Sequence, residues 1–265
     1  MSFKHSLLLA VVLAGPAAAQ SDSVSKTLFT RRDAVVATGA LAAAVAISHF
    51  DPKIASFFSD TSLAHVRAGQ RFDNVFTHIN ETTLTLAGIA AYGAGRLTKS
   101  PTLTDVAFHT TEAVVSASLA SQLIRGPLGR SRPKLTGSKD QYDFHWFQGF
   151  RQFNYRAFPS IHSSSGFAAA TALVQETRIR NPGAVKIVAP LLYAMALTPG
   201  LSRMYLGQHW ASDVFAGAVM GIFAGSKSVN YSHTHPHNRF QDFFVPVSNL
   251  SLAPDGAGFS LSWTF

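Results

Sequence analysis

Three short stretches of this chain carry side chains able to hold and attack an anion: "RGPLGRSRP" from Arg125, "FPSIHSSSG" from Phe158 and "SRMYLGQHWASD" from Ser202. Between them they supply Arg125, Arg132, Arg203, Ser160, His162, His209 and Asp213. Guanidinium groups offer planar forks of donors matched to phosphoryl oxygens, and they keep their charge at physiological pH. Imidazoles are the groups that attack phosphorus or pass a proton near neutrality. Together these residue types describe a phosphate site with its own chemistry.

Each piece also has an ordinary role when taken alone. Arg125 and Arg132-Pro133 are separated by six residues that include Gly126, Pro127 and Gly129, so both guanidiniums can fold back toward one point. Arginines at a helix end are commonly capping or solvated groups. Pro159-Ser160-Ile161-His162 sits where a loop becomes a helix, and the free amides and positive dipole end there form a cradle for phosphoryl oxygens. Ser160 adds a hydroxyl to that cradle or serves simply as an N-cap. His209 and Asp213 lie four apart, which places them on one face of a helical turn. A carboxylate bonded to one ring nitrogen fixes the tautomer and frees the other nitrogen as a nucleophile. On a surface the same spacing is a weak ion pair.

The elements that must position these residues are helices. Lys4, the apolar run from Leu7 to Ala14 and the small residues Ala17 to Ala19 read as a cleavable secretory signal, residues 1–19, followed by a polar link, 20–32. Arg31-Arg32 before an apolar run resembles a twin-arginine export signal, but with a signal upstream it reads as the start of the first helix, from Ala34 to Ser48. Asp51-Pro52 is expected to stop that helix. Further helices are expected from Thr82 to Arg96, Thr104 to Ile124, Ser160 to Glu176, Val185 to Leu197 with a stop at Pro199-Gly200, and His209 to Gly225. Residues 126–158 lack periodicity but are rich in aromatics, a pattern of a loop framing a pocket rather than of disorder. His145 and Trp146 in it either line the pocket mouth or pack the loop.

Small residues at Ala216, Gly217, Ala218 and Gly221 permit close helix approach. None of the apolar runs reaches the ~20 residues of an unambiguous membrane span, so a buried bundle and a membrane one both remain open. His109 and Glu112 read as a buried polar pair. His233, His235 and His237 offer transition-metal ligands in principle, yet Pro236 and the polar setting read as a solvated linker. From Phe243 the pattern alternates, with Pro254-Asp255-Gly256 as a turn, which predicts a C-terminal β-hairpin. The helical domain is thus expected over 33–228, with the histidine linker and hairpin over 229–265.

Composition narrows the partners. Hydrophobic residues make up 47% and charged ones 14%, with net charge +8, which favours anionic partners. Nucleic acid is discounted because the basic residues are scattered, without a basic helix or an aromatic-rich binding strand. With no cysteine, neither a disulfide nor a thiolate metal site can form.

In order and spacing the three stretches resemble the type 2 phosphatidic acid phosphatase superfamily, which includes bacterial class A acid phosphatases, lipid phosphate phosphatases and vanadium haloperoxidases. Its pattern is Lys-x6-Arg-Pro, Pro-Ser-Gly-His and Ser-Arg-x5-His-x3-Asp. Arg125 stands where the family has lysine and Ile161 where it has glycine, so a positive φ or a close approach at Ile161 would be costly. The resemblance implies an all-α helical bundle with a metal-independent phosphate pocket and no cofactor. His209 would attack phosphorus, Asp213 would orient it and His162 would protonate the leaving oxygen. Arg125, Arg132, Arg203, Ser160 and the Ile161 amide would hold the remaining oxygens. The expected protein is an exported phosphatase of the bacterial envelope. It would be membrane-associated with a periplasm-facing site or soluble in the periplasm, and would act on phosphomonoesters or pyrophosphates, lipid-linked or not. A vanadium-dependent haloperoxidase and a non-catalytic anion-binding envelope protein are the rival readings.

Overall fold

Thr30 and Asp33 close a capping box, and helix α1 (Arg31–Ser48) therefore starts inside the segment expected to be a link. The structure is a computed structural model that describes residues 29–60, 75–235, 247–252 and 259–263. The expected signal 1–19, the first part of the link, His237 and the Pro254-Asp255-Gly256 turn lie outside the described residues. Helix α1 ends at Ser48 as expected, and Asp51-Pro52 then opens a second helix, α2 (Asp51–Asp60). Proline is tolerated in a first helical turn because an amide there has no intrahelical partner to lose.

Asn80 accepts from the amides of Thr82 and Thr83 and starts α3 (Glu81–Leu97). Ser100 and Pro101 start α4 (Pro101–Leu128), which Gly129 ends at φ 63, in the left-handed region. After a short turn, α5 (Pro133–Thr136), the chain reaches α6 (Ile161–Arg180) and α7 (Val185–Tyr205). The expected stop at Pro199-Gly200 is wrong: α7 runs through it. Pro199 cannot donate to the carbonyl of Met195, but Thr198 Oγ1 does so at 2.7 Å, so the helix continues without an orphaned acceptor. The last helix, α8 (Ala211–Thr234), begins after His209 and extends past Gly225 through His233, so that histidine is helical rather than part of a linker.

Helix α6 lies at the centre, against α4, α7 and α8; α3 packs on α4, and α1 on α8. The core is made of small side chains: Ala113, Val114 and Ala117 of α4 meet Ala168, Ala169 and Ala172 of α6 and Val229 of α8. Close approach of α8 to α6 depends on Gly217 and Gly221. A Cβ at Gly217 would lie 2.3 Å from the Ser160 carbonyl oxygen, and one at Gly221 2.3 Å from that of Ser164. Gly221→Val should therefore lower the unfolding free energy by about 1–3 kcal/mol, the range for overpacking a tight interface. An unchanged denaturation midpoint would contradict the contact.

Large apolar side chains point outward instead. Leu119, Leu123, Ile187, Leu191 and Met195 are exposed. Among the described residues one helical stretch, Pro182–Tyr205, is long and apolar enough to cross a membrane by length and composition, and α1 with Asp51–Ser59 passes jointly with a bend of 56°. The separate runs expected from the sequence were shorter because Pro199-Gly200 and Asp51-Pro52 were read as stops. Strands β1 (Val247–Leu252) and β2 (Phe259–Trp263) pair antiparallel, with the register broken between Val247 and Asn249. The connection between them lies outside the described residues, so the hairpin as a unit stays an expectation.

Candidate active site

The loop expected over 126–158 holds the cations in place by its own carbonyl groups. Arg125, buried in the last turn of α4, donates from Nη2 to the Arg156 carbonyl at 3.0 Å. Arg132 donates from Nε to the Phe153 carbonyl at 3.0 Å, from Nη1 to Gln208, and lies 3.7 Å above the Phe153 ring. Arg156 in turn donates to the Gly149 and Phe150 carbonyls. Gly149 is pressed so tightly to α4 that a Cβ there would be 2.1 Å from the Arg125 carbonyl oxygen. Arg203, near the end of α7, donates to Thr77 Oγ1 at 3.4 Å. Burial lowers the guanidinium of Arg125 to about 10 and that of Arg132 to about 9, with neighbouring cations contributing, and both stay charged at neutral pH.

His209 sits just before α8, where its Nδ1 lies 2.7 Å from the carbonyl of Ala157. A carbonyl only accepts, so Nδ1 carries the proton and Nε2 presents a lone pair. That Nε2 is buried and has no hydrogen-bond partner among the described residues. His162, in the first turn of α6, likewise has a buried Nδ1 without a partner. Burial first, then Arg132, Arg125 and Arg203, hold His209 well below the usual imidazole range. Burial, followed by Arg203, His209, Arg125 and Arg132, pushes His162 down to about 2. Three chain segments that are distant in sequence thus share one electrostatic neighbourhood: two neutral imidazoles faced by three cations.

The expected Asp213–His209 hydrogen bond is replaced by other contacts. His209 Nδ1 is 3.7 Å from Asp213 Oδ2, beyond hydrogen-bond range. The i,i+4 argument does not apply because His209 precedes the helix, while Asp213 is in its first turn and Oδ2 accepts the Trp210 amide at 2.7 Å. Oδ1 accepts Arg130 Nη1 at 2.5 Å, and Arg130 Nη2 reaches Asp51 Oδ2 at 2.9 Å. Asp51 also accepts from the amide of Ser212 at 2.9 Å and from its hydroxyl at 2.5 Å. Arg130 and Asp51 are positioning residues that sequence reasoning missed. Arg130 stands in the first stretch, two positions from Arg132. Asp51 gave no signal, being 79 positions away within an expected helix stop.

Ser160 takes the N-cap role: its Oγ accepts from Ser163, and its amide donates to the Asp213 carbonyl at 3.0 Å. Ile161 is the first residue of α6 with ordinary helical backbone, so the cost expected of a positive φ does not arise. Its side chain borders a groove of about 370 Å³ between α3 and α4, shared with Leu86, Val115 and Leu119. In the loop, His145 pairs with Asp143 and packs on Tyr155, whereas Trp146 is exposed. His109 bonds Glu176, while Glu112 accepts from Ser232 and lies within electrostatic reach of His109.

Residues 107–235 match the family model of the PAP2 superfamily and contain every residue of the three stretches. This segment of the chain belongs to the PAP2 superfamily. Among its relatives, a lipid A 1-phosphatase of Rhizobium johnstonii is 31% identical over 113 residues, 42% of this chain and 41% of that protein. A probable lipid phosphate phosphatase 4 of Arabidopsis thaliana is 29% identical over 124 residues, 43% of this chain and 39% of that protein. The chain thus spans about two-fifths of the length of either relative. A crystal structure of a transmembrane PAP2 type phosphatidylglycerolphosphate phosphatase from Bacillus subtilis covers 74% of this chain and 98% of that one at 19% identity and a TM-score of 0.42, too distant a likeness to assign helix correspondences. Within the PAP2 segment the helical architecture around α4, α6 and α8 agrees with the all-α class expected of the family.

Proposed function

We propose that this PAP2 protein is a phosphatase that cleaves phosphomonoesters or pyrophosphates of lipid-linked substrates through a phosphohistidine on His209. One observation carries the reading: a buried imidazole whose Nδ1–H is taken by Ala157 and whose Nε2 faces no protein partner, beside Arg125, Arg132 and Arg203. Nε2 attacks phosphorus and the P–O bond to the leaving group breaks. His162 gives that oxygen a proton, and the guanidiniums with the first-turn amides of α6 take up the charge on the other oxygens. Water then loses a proton to His162 and cleaves the P–N bond, returning both imidazoles to their starting state. Asp213 lies near enough to stabilise the transient imidazolium without holding its proton. The pocket's chemistry uses no metal ion in this reading.

The apolar groove beside Ile161, the outward-facing leucines and isoleucines, and relatives named as lipid phosphatases support a lipid leaving group and association with a bilayer. The signal-like residues 1–19 support export to the envelope, and a site on the periplasmic side is part of this reading. The test is a panel of phosphatidic acid, a polyprenyl pyrophosphate and a nucleotide, with rapid alkaline quench to trap phosphohistidine. Vanadate-inhibited phosphate release with label on His209 is the expected result. Halide oxidation that requires vanadate and peroxide would assign a haloperoxidase, and anion binding without turnover would assign a non-catalytic role.

A proton balance follows from the low imidazole values. With His162 at about 2 in the free protein, it is neutral at pH 6, and a bound dianion that offsets the arginines raises its pKa. A group whose pKa rises on binding takes up a proton between its free and bound values. Calorimetry of sulfate binding at pH 6, where the free ion is already a dianion, in buffers of different ionisation enthalpy should therefore show net proton uptake that is lost in His162→Ala. Proton release would reverse the assignment of His162 as acid.

A further inference from the structure

A second constellation lies at the other end of α6, fourteen positions or about 21 Å of helix from His162. His109 of α4, Glu176 of α6 and His233 of α8 converge there. Both imidazoles address a single carboxylate oxygen: His109 Nδ1 is 2.5 Å and His233 Nε2 2.9 Å from Glu176 Oε1. The two rings are 5.1 Å apart, and the three candidate ligand atoms all lie within 4.8 Å of one another. Glu176 is fully buried, His109 is buried, and the His233 side chain is 32% exposed, so the cluster is rooted in the core and open on one side to solvent.

The surroundings favour a cation. Arg180 Nε holds the other carboxylate oxygen, Oε2, at 3.0 Å, which leaves Oε1 as a single directed ligand, and Asp105 faces Arg180 at 3.2 Å. Glu112 stands close enough to His109 to feel its charge. Three carboxylates against one guanidinium give this end of an otherwise basic chain a local negative excess. Hydrogen-bonded partners behind a ligating carboxylate are the usual support of a metal site.

We propose that His109, Glu176 and His233 form a site for a divalent transition ion of the zinc class, which ties α4, α6 and α8 together with water as fourth ligand. Two imidazoles and one carboxylate are a ligand set that zinc accepts in tetrahedral geometry at ~2.0–2.2 Å. Tetrahedral bonds of that length put ligand atoms roughly 3.3 Å apart, so the two histidine–carboxylate contacts must open by roughly 0.4–0.8 Å, and the two ring nitrogens, now within 4.8 Å of each other, must settle at the same spacing, as the ion displaces the ring protons that point at Oε1. None of these residues belongs to the phosphate pocket, so the ion's role is structural.

The test is a titration of the full chain, stripped with EDTA, with Zn²⁺ and with Co²⁺. One equivalent is expected to bind, raise the melting temperature and give the visible bands of four-coordinate cobalt. His233→Ala and His109→Gln should weaken zinc by more than the ~10- to 100-fold that loss of a supporting partner causes. His235→Ala, whose ring stacks on Tyr231, should leave binding unchanged. Absence of stoichiometric binding in the parent chain would overturn the site whether or not the variants fold. Equal loss in His235→Ala would do so too, by assigning the ion to the histidine tail. No outcome depends on phosphatase activity, so the site stands or falls separately from the proposed reaction.

Discussion

His209→Ala is expected to reduce phosphate release by ~10⁴-fold or more, the scale seen when a covalent nucleophile is removed. In the proposed reaction no other group replaces it: His162 is directed by its own place in the first turn of α6, and the arginines cannot be nucleophiles because they stay protonated. The fold should survive. Among the described residues the ring makes one hydrogen bond, Nδ1 to Ala157, worth about 1 kcal/mol net, and its loss is partly offset by removing a buried imidazole from among three cations. Circular dichroism and a denaturation midpoint close to the parent's should therefore accompany the inactive variant. Undiminished turnover would end the assignment, and loss of folding together with activity would show that the ring is chiefly a packing element.

Arg130→Ala should be the most destabilising substitution near the site, by about 3–5 kcal/mol, the cost of leaving buried charges unpaired. Arg130 is the sole guanidinium bonded to both Asp213 and Asp51 among the described residues, and both carboxylates are fully buried. Without it, Asp213 must desolvate alone or protonate, and the start of α8 that carries Trp210 and sets His209 loosens. Lysine is a poor substitute, since one ammonium does not reproduce a fork that spans two carboxylates. Urea denaturation reads the effect directly as a lowered midpoint with unchanged slope. A shift below about 1 kcal/mol would mean that the Arg130 network is solvated rather than structural.

Much of the candidate site was legible because it lies in residue type and short spacing. Arg125, Arg132, Arg203, Ser160, His162, His209 and Asp213 could be picked out before any coordinates, and the helices carrying them followed from apolar runs and the N-cap type of Ser160. Proline was where local reading failed. A proline reads locally as an end: α1 does stop before Pro52, but Pro52 then sits in a first turn where no amide is needed, and Pro199 is rescued inside α7 by the Thr198 hydroxyl. Reading each proline only as a stop hides α2 and shortens α7. It also hides Asp51, the far member of the Arg130 network.

The amino-acid sequence by itself determined which charged and titratable groups the protein owns and the order in which three stretches present them. Only the tertiary structure decided who touches whom: Ala157, 52 positions from His209, takes its Nδ1 proton; Asp213 turns to Trp210 and Arg130; and His233 leaves its supposed linker for Glu176. A side chain's type is local information. Its hydrogen-bond partner is whichever backbone or side chain the packing of α4, α6 and α8 brings within about 3 Å, and that depends on contacts across the whole bundle.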